Sequence, residues 1–214
     1  MSATPEEASK KMIRAKNTRP DFGKRGWLLM IAGMLCMFMA GTGKNDALNV
    51  IMPRFHEVYG WSTTSMSLLG TVGGYIAAVV MFFIGMLTEK IGIKKILVFC
   101  GFLMVAGICG YNFVTSFATY AVCVMLIMLG EVGLGPYGVP MLVQNWFPTK
   151  KGLAMGWVTI GNNLGSIFIN WLLVGSWALF GLRGGFFPWA CIGLVGVLLI
   201  LFFIKEYPEQ QGLK

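Results

Sequence analysis

Gly85-Met86-Leu87-Thr88-Glu89-Lys90-Ile91-Gly92-Ile93-Lys94-Lys95 is a short polar break between two long apolar runs, 63–87 before it and 96–114 after it. A helix needs about 20 predominantly apolar residues to cross about 30 Å of hydrocarbon, so both runs are long enough to span a membrane. The break between them reads as a tight loop joining antiparallel spans. Working outward, four further runs qualify, over 27–52, 118–143, 153–179 and 186–204. Between them stand Arg54-Phe55-His56-Glu57, Thr115-Ser116, Pro148-Thr149-Lys150-Lys151 and Leu182-Arg183-Gly184-Gly185, all read as loops. Six spans joined by connections this short must alternate in direction.

Composition agrees with a lipid solvent. Hydrophobic residues make up 56% of the chain and charged residues only 12%, with a mean hydropathy of +0.70. A soluble domain covers its core with Lys, Glu, Arg and Asp, and this chain has too few of them to do so. Cys36, Cys100, Cys109, Cys123 and Cys191 all lie inside apolar runs, without the C-x-x-C type of spacing that a metal or a disulfide framework requires. No metal and no cofactor is expected.

The formal charge of +8 would suit a nucleic-acid binder, but its distribution has another reading. Alternate loops fall on the same side of the membrane. Lys10, Lys11, Arg14, Lys16, Arg19, Lys24, Arg25, Lys90, Lys94, Lys95, Lys150, Lys151, Lys205 and Lys214 therefore share one side. Arg54 and Arg183 fall on the other, and Lys44 lies within a span. Cytoplasmic loops carry the Lys/Arg excess, which predicts cytoplasmic termini in a multi-pass protein of the plasma (inner) membrane. Residues 1–25 are expected to form a mobile basic tail, 26–205 the six-helix bundle, and 206–214 the start of a central cytoplasmic loop. The first span has a long hydrophilic tail before it and no small-residue cleavage pattern after it, so it is not read as a signal peptide.

The polar break at 85–95 resembles the signature G-x-L-[ST/A]-D-[RK]-x-G-[RK]-[RK] of the major facilitator superfamily, with Glu89 for the usual Asp and Ile93 where a basic residue is common. As a cytoplasmic gate motif it would comprise Gly85, Glu89, Lys90, Gly92, Lys94 and Lys95. Gly85 would let helices approach, Gly92 would allow the tight turn, and the acid would meet a helix N-terminus or an arginine. A second stretch, Asn145-Trp146-Phe147-Pro148-Thr149-Lys150-Lys151-Gly152-Leu153-Ala154-Met155-Gly156, is similar to the junction between spans four and five in the oxalate/formate antiporter and anion:cation symporter branches. There Trp146 would anchor at the interface and Gly152 with Gly156 would form a packing face. Lys44-Asn45-x-Ala47-Leu48-x-x-x-Met52-Pro53 resembles span one of the organophosphate antiporters, but Gly43 stands where that branch has a substrate-binding arginine. The resemblance implies an all-α membrane fold of six helices as a 3+3 inverted repeat, the N-terminal half of a major facilitator bundle. Gly41-Thr42-Gly43 before Pro53, and Gly130-Glu131-Val132-Gly133 before Pro140, are a faint trace of that repeat.

Ionisable groups inside spans cost several kcal/mol if they face lipid, so Lys44, Asp46 and Glu131 are expected to face a cavity or a partner. Glu131, nearest the midplane, reads either as a coupling or substrate carboxylate or as a structural ion-pair partner. At about 100° per residue Asp46 shares a face with Thr42, Asn45 and Asn49, while Lys44 points nearly opposite. Either Lys44 meets another helix or the segment around Gly41 and Gly43 is distorted. Thr159, Asn162, Ser166 and Asn170 form a polar stripe on span five, as a pathway or as interhelical hydrogen bonding. Tyr75, Asn163 and Tyr137 are lesser candidates, and His56 with Glu57 reads as a solvated surface pair. No nucleophile–base set, P-loop or dinucleotide fingerprint occurs, so enzymatic chemistry is not expected.

Taken together, the resemblance implies secondary active transport of a small, anionic organic metabolite by alternating access, coupled to a proton or other ion gradient. The expected partners are the lipid bilayer, the transported solute and a second six-span half, with no nucleic acid. The rival readings are a non-transporting receptor or accessory protein of the same fold, and a homodimeric six-span exporter or channel.

Overall fold

The computed structural model describes residues 24–147 and 150–203, the side chains of Lys24, Arg25, Lys44, Asn45 and Glu89 excepted. The basic tail up to residue 23, Pro148 and Thr149, and the loop expected over 206–214 lie outside the described residues. The elements run α1 (Lys24–Gly41), a π segment (Thr42–Asp46), α2 (Ala47–Tyr59), α3 (Thr63–Ile91) and α4 (Ile93–Gly110), which ends in the 3-10 turn Tyr111–Phe113. There follow α5 (Phe117–Val132), a second π segment (Gly133–Gly138), α6 (Val139–Trp146), α7 (Lys151–Phe180) and α8 (Phe187–Phe203). α1 and α2 are successive parts of span 1, and α5 and α6 of span 4. Thr63–Thr88, Ile93–Phe113, Phe117–Trp146 and Lys151–Phe180 are each long and apolar enough to cross a bilayer, with Gly26–Gly41 and Phe187–Phe203 as shorter apolar helices.

The breaks follow local chemistry. Gly92, at φ 87°, turns the chain from α3 into α4 as the sequence predicts. Ser116 and Thr119 form a reciprocal capping box at the start of α5. Both π segments sit where the i→i−4 ladder is weakened. In span 4, Pro136 and Pro140 remove two donors one turn apart, and the ladder shifts so that Val139 N–H reaches Leu134 O. In span 1, Ala47 N–H reaches Thr42 O instead of the carbonyl one turn back. Of the two alternatives for this stretch, the backbone shows the distortion.

One expected loop is helix. Arg54-Phe55-His56-Glu57 continues α2 beyond Pro53 to a left-handed C-cap at Gly60, whose N–H meets His56 O at 2.9 Å. Arg54 pairs with Glu57 at 2.9 Å one turn on, and His56 Nδ1 lies 2.7 Å from Trp61 O, so His56 and Glu57 are not a pair. What holds the extension is Phe55. It is fully buried, with edge contacts to Tyr59, Trp61, Tyr111, Tyr120 and Phe186. These rings come from all three connections at the end of the bundle opposite the Gly85–Lys95 loop.

Spans 1 and 5, 1 and 6, 2 and 4, 3 and 4, and 3 and 6 form the main helix pairs. Replacing each span by the one three places away maps this set onto itself: 1 with 5 becomes 4 with 2, and 1 with 6 becomes 4 with 3. The 3+3 repeat is thus present in the packing, and the two π segments occupy equivalent spans.

Close approach depends on glycines other than those picked out by pattern. A Cβ on Gly161 would lie 2.1 Å from Met34 O, and one on Gly165 2.9 Å from Phe38 O, so α7 lies directly against the α1 backbone. At Gly152 and Gly156 a Cβ would meet nothing within 4 Å, and at Gly85 only Tyr137 Oη at 3.9 Å. Those three are not packing glycines in this bundle, because a Cβ at any of them would meet no close neighbour. Trp146 is likewise buried, not an interfacial anchor. Gly161→Ala is therefore expected to cost about 1–3 kcal/mol, as overpacking against backbone that cannot yield. Thermal unfolding in detergent should show a clear drop for Gly161→Ala, and a change within about 0.5 kcal/mol for Gly152→Ala.

Candidate functional site

A cavity of about 330 Å³ opens between the two interrupted spans. Its wall is Met37, Ala40, Gly41 and Asp46 from span 1, Glu131, Gly135, Pro136 and Pro140 from span 4, and Asn162 from α7. Each π segment contributes for a physical reason. A π turn opens the helix and disturbs its ladder, conditions tolerated at membrane depth where backbone lines a cavity. Asp46 is the last residue of the first π segment, and Glu131 stands two residues before the second.

Asp46 is held from the side. Ser166 Oγ on α7 donates to Asp46 Oδ2 at 2.5 Å. One turn earlier, Asn162 lies over the backbone of span 1, where a Cβ on Gly41 would come within 2.1 Å of Asn162 Oδ1 and 3.1 Å of its Cα. Glycine at 41 is what leaves room for this amide. Opposite, a Cβ on Gly135 would lie 2.8 Å from Ala40 Cβ and 4.0 Å from Glu131 Oε1, so the second π segment needs the same economy of bulk.

Of the candidates taken from sequence, the fold brings Asp46, Glu131 and Asn162 to one cavity, with Ser166 bonded to its rim. The side chains of Lys44 and Asn45 lie outside the described residues, although their backbone forms the first π segment. Tyr75 is 73% exposed on α3, and Asn163 is exposed on α7; neither lines this cavity. Thr159 returns its hydroxyl to Met155 O at 2.7 Å, which satisfies it within its own helix. Pattern reasoning missed Met37, Ala40, Gly135 and Pro136, and took Gly41 and Pro140 only as traces of the repeat. The spacing of Pro136 and Pro140 was the available signal, since two prolines four apart in an apolar run mark an interrupted helix.

α7 divides into three faces. Ala154, Val158, Gly161, Gly165, Ile169 and Leu173 are buried against the bundle. Leu153, Trp157, Ile160, Phe168 and Trp171 form an exposed apolar face suited to lipid. Between them Thr159, Asn163, Ser166 and Asn170 are exposed polar residues. At the other end, the gate-motif residues Lys90 and Lys95 are exposed, while Lys94 Nζ donates to Leu201 O of α8 at 2.8 Å.

The family model for the Major Facilitator Superfamily matches residues 7–214. The chain is 34% identical over 134 residues to an oxalate:formate antiporter of Oxalobacter formigenes, covering 61% of this chain and 31% of that one. It is 27% identical over 145 residues to the sialic acid transporter NanX of Escherichia coli, covering 68% and 35%. It is 24% identical over 189 residues to an MFS-type transporter of Ophiocordyceps, covering 86% and 40%. The chain thus spans well under half the length of these relatives. A crystal structure of a peptide transporter, POT, superposes with a TM-score of 0.67 at 18% identity, over 88% of this chain and 40% of that one, a likeness of fold.

Proposed function

The chain belongs to the Major Facilitator Superfamily, and from that premise we propose that it is a multi-pass membrane protein that forms one six-helix half of a secondary transporter for a small organic anion, worked by alternating access and driven by protons. The observation that carries this reading is the cavity between the two π segments, where Asp46, Glu131 and Asn162 converge. Its volume, about 330 Å³, suits a cargo of metabolite size.

Support for an anion comes from the relatives, whose names include oxalate, formate and sialic acid. Asp46 and Glu131 place two acidic side chains on the wall that such a cargo would pass. Carboxylic side chains inside spans mark proton relays as well as cargo sites, and this chemistry favours proton coupling. Support for a second half comes from α7, whose exposed polar stripe is costly against lipid, and from α3, of which only 17% of the spanning window is buried. The termini would lie in the cytoplasm of a plasma (inner) membrane, following the basic excess.

Reconstituted with its complete partner half, the transporter is expected to take up labelled formate or oxalate faster when the outside is acidic, and to lose that stimulation with a protonophore. Uptake indifferent to the proton gradient would overturn the coupling. Flux from this chain alone would overturn the half-transporter reading.

A further inference from the structure

Thr42 opens the first π segment and is fully buried. Its Oγ1 lies 2.9 Å from Phe38 O and 3.0 Å from Met39 O, so the hydroxyl proton is turned back into its own helix. That leaves a lone pair facing α8, where the indole N–H of Trp189, a residue only 1% exposed, donates at 3.0 Å. On the other flank a Cβ added to Gly165 of α7 would lie 2.7 Å from Thr42 Cγ2. Thr42 is therefore clamped between α7 and α8.

We propose that Trp189 is the positioning residue of the acidic cavity wall, acting through Thr42 to hold the π segment that presents Asp46. The proposal rests on the reading of this cavity as the transport site. The carbonyls engaged by the Thr42 hydroxyl lie three and four residues back, where such bonds compete with the helix ladder. The ladder changes at this same residue, since Thr42 O is the acceptor for Ala47 N–H five residues on. A π turn is a rare conformation that holds one more residue than the α turn it replaces. Its relaxation to α would rotate α1 relative to α2 by about 100°. Asp46, at the far end of that turn, would leave both the cavity and the Ser166 hydroxyl. Gly165 at Thr42 and Ser166 at Asp46 are consecutive residues of α7, so the two ends of the segment are registered against a single turn, and Trp189 closes the third side.

The test uses Trp189→Phe, which keeps a buried ring and removes the donor, Thr42→Val, which removes the acceptor at nearly constant volume, and the double variant. Two readouts need no transported solute: labelling of Asp46 and Glu131 by dicyclohexylcarbodiimide, mapped by mass spectrometry, and hydrogen exchange at the Ala47 amide. Each single variant is expected to change the Asp46 labelling rate and speed Ala47 exchange by about fivefold, the effect of one hydrogen bond. The double variant should add nothing further. Labelling at Glu131, and exchange around Phe55, should stay at the parental level. Unchanged Asp46 labelling in both single variants would overturn the proposal, as would additive effects in the double or loosening spread evenly over the bundle. If Trp189→Phe fails to fold, Thr42→Val decides. Because no solute is involved, a failed uptake assay leaves this result standing, and a failed labelling test leaves the transport reading standing.

Discussion

Glu131→Gln is expected to lower proton-driven uptake by about 100-fold or more, the scale on which a positioned acid–base group contributes, while leaving the bundle folded. The glutamine keeps the size of the side chain and its capacity for hydrogen bonding and removes only the titrating group. Glu131 stands at the end of α5, two residues before the π segment whose Gly135 and Pro136 also face the cavity. The carboxylate is thus carried by the last regular turn of α5, beside the part of span 4 that has given up regular helix geometry. If Glu131 couples proton and cargo, exchange of solute across a membrane without a proton gradient should survive in the variant better than accumulation does. Parental pH-driven uptake in Glu131→Gln would eliminate the coupling role and leave Asp46 as the carboxylate to test. Parallel loss of exchange and accumulation would point to cargo binding as the role of this side chain.

The spans were legible because hydropathy is a local property. Each apolar run became a helix, and Gly92 turned the chain where a glycine was expected. Where the reading failed, the cause was a contact between residues far apart. Arg54-Phe55-His56-Glu57 carries charges after a proline and has every local mark of a loop. It is helical because Phe55 is enclosed by rings from two other connections, and because Tyr59 Oη donates to Val114 O at 2.8 Å. The glycine faces failed for a related reason. Gly152 and Gly156 have the same spacing as Gly161 and Gly165, and only the position of α1 decides which pair is used.

The candidate site was legible residue by residue but not as a site. Asp46, Glu131 and Asn162 each stood out as a polar group where lipid forbids one, and that argument needs no fold. Their convergence needs spans 1, 4 and 5 placed side by side. Trp189 carried no signal, since a tryptophan in an apolar run reads as packing until its N–H is found on Thr42. The conflict between Lys44 and Asp46 on a regular helix was informative: a distortion was one of the two ways to resolve it, and the π segment lies over those residues.

Phe55→Ala is expected to cost about 3–5 kcal/mol, the usual range for truncating a buried aromatic. The cost has three sources. The ring is fully buried, so its removal leaves a cavity that five surrounding rings can only partly refill. It supplies edge-to-face contacts to Tyr59, Trp61, Tyr111, Tyr120 and Phe186, each worth about 0.5–1.5 kcal/mol beyond simple burial. It also holds the α2 extension past Pro53, without which the Arg54 and Glu57 pair and the Gly60 cap have no helix to join. Phe55→Leu, which keeps most of the volume, should lose clearly less. The check is thermal unfolding in detergent beside hydrogen exchange of α2. Exchange should rise from about Pro53 onward while the first π segment stays protected, because Thr42 and Asp46 are held by α8 and α7, not by the aromatic cluster. Loss of protection at the π segment in Phe55→Ala would show that the cluster and the cavity wall open together, and that the bundle moves as one unit.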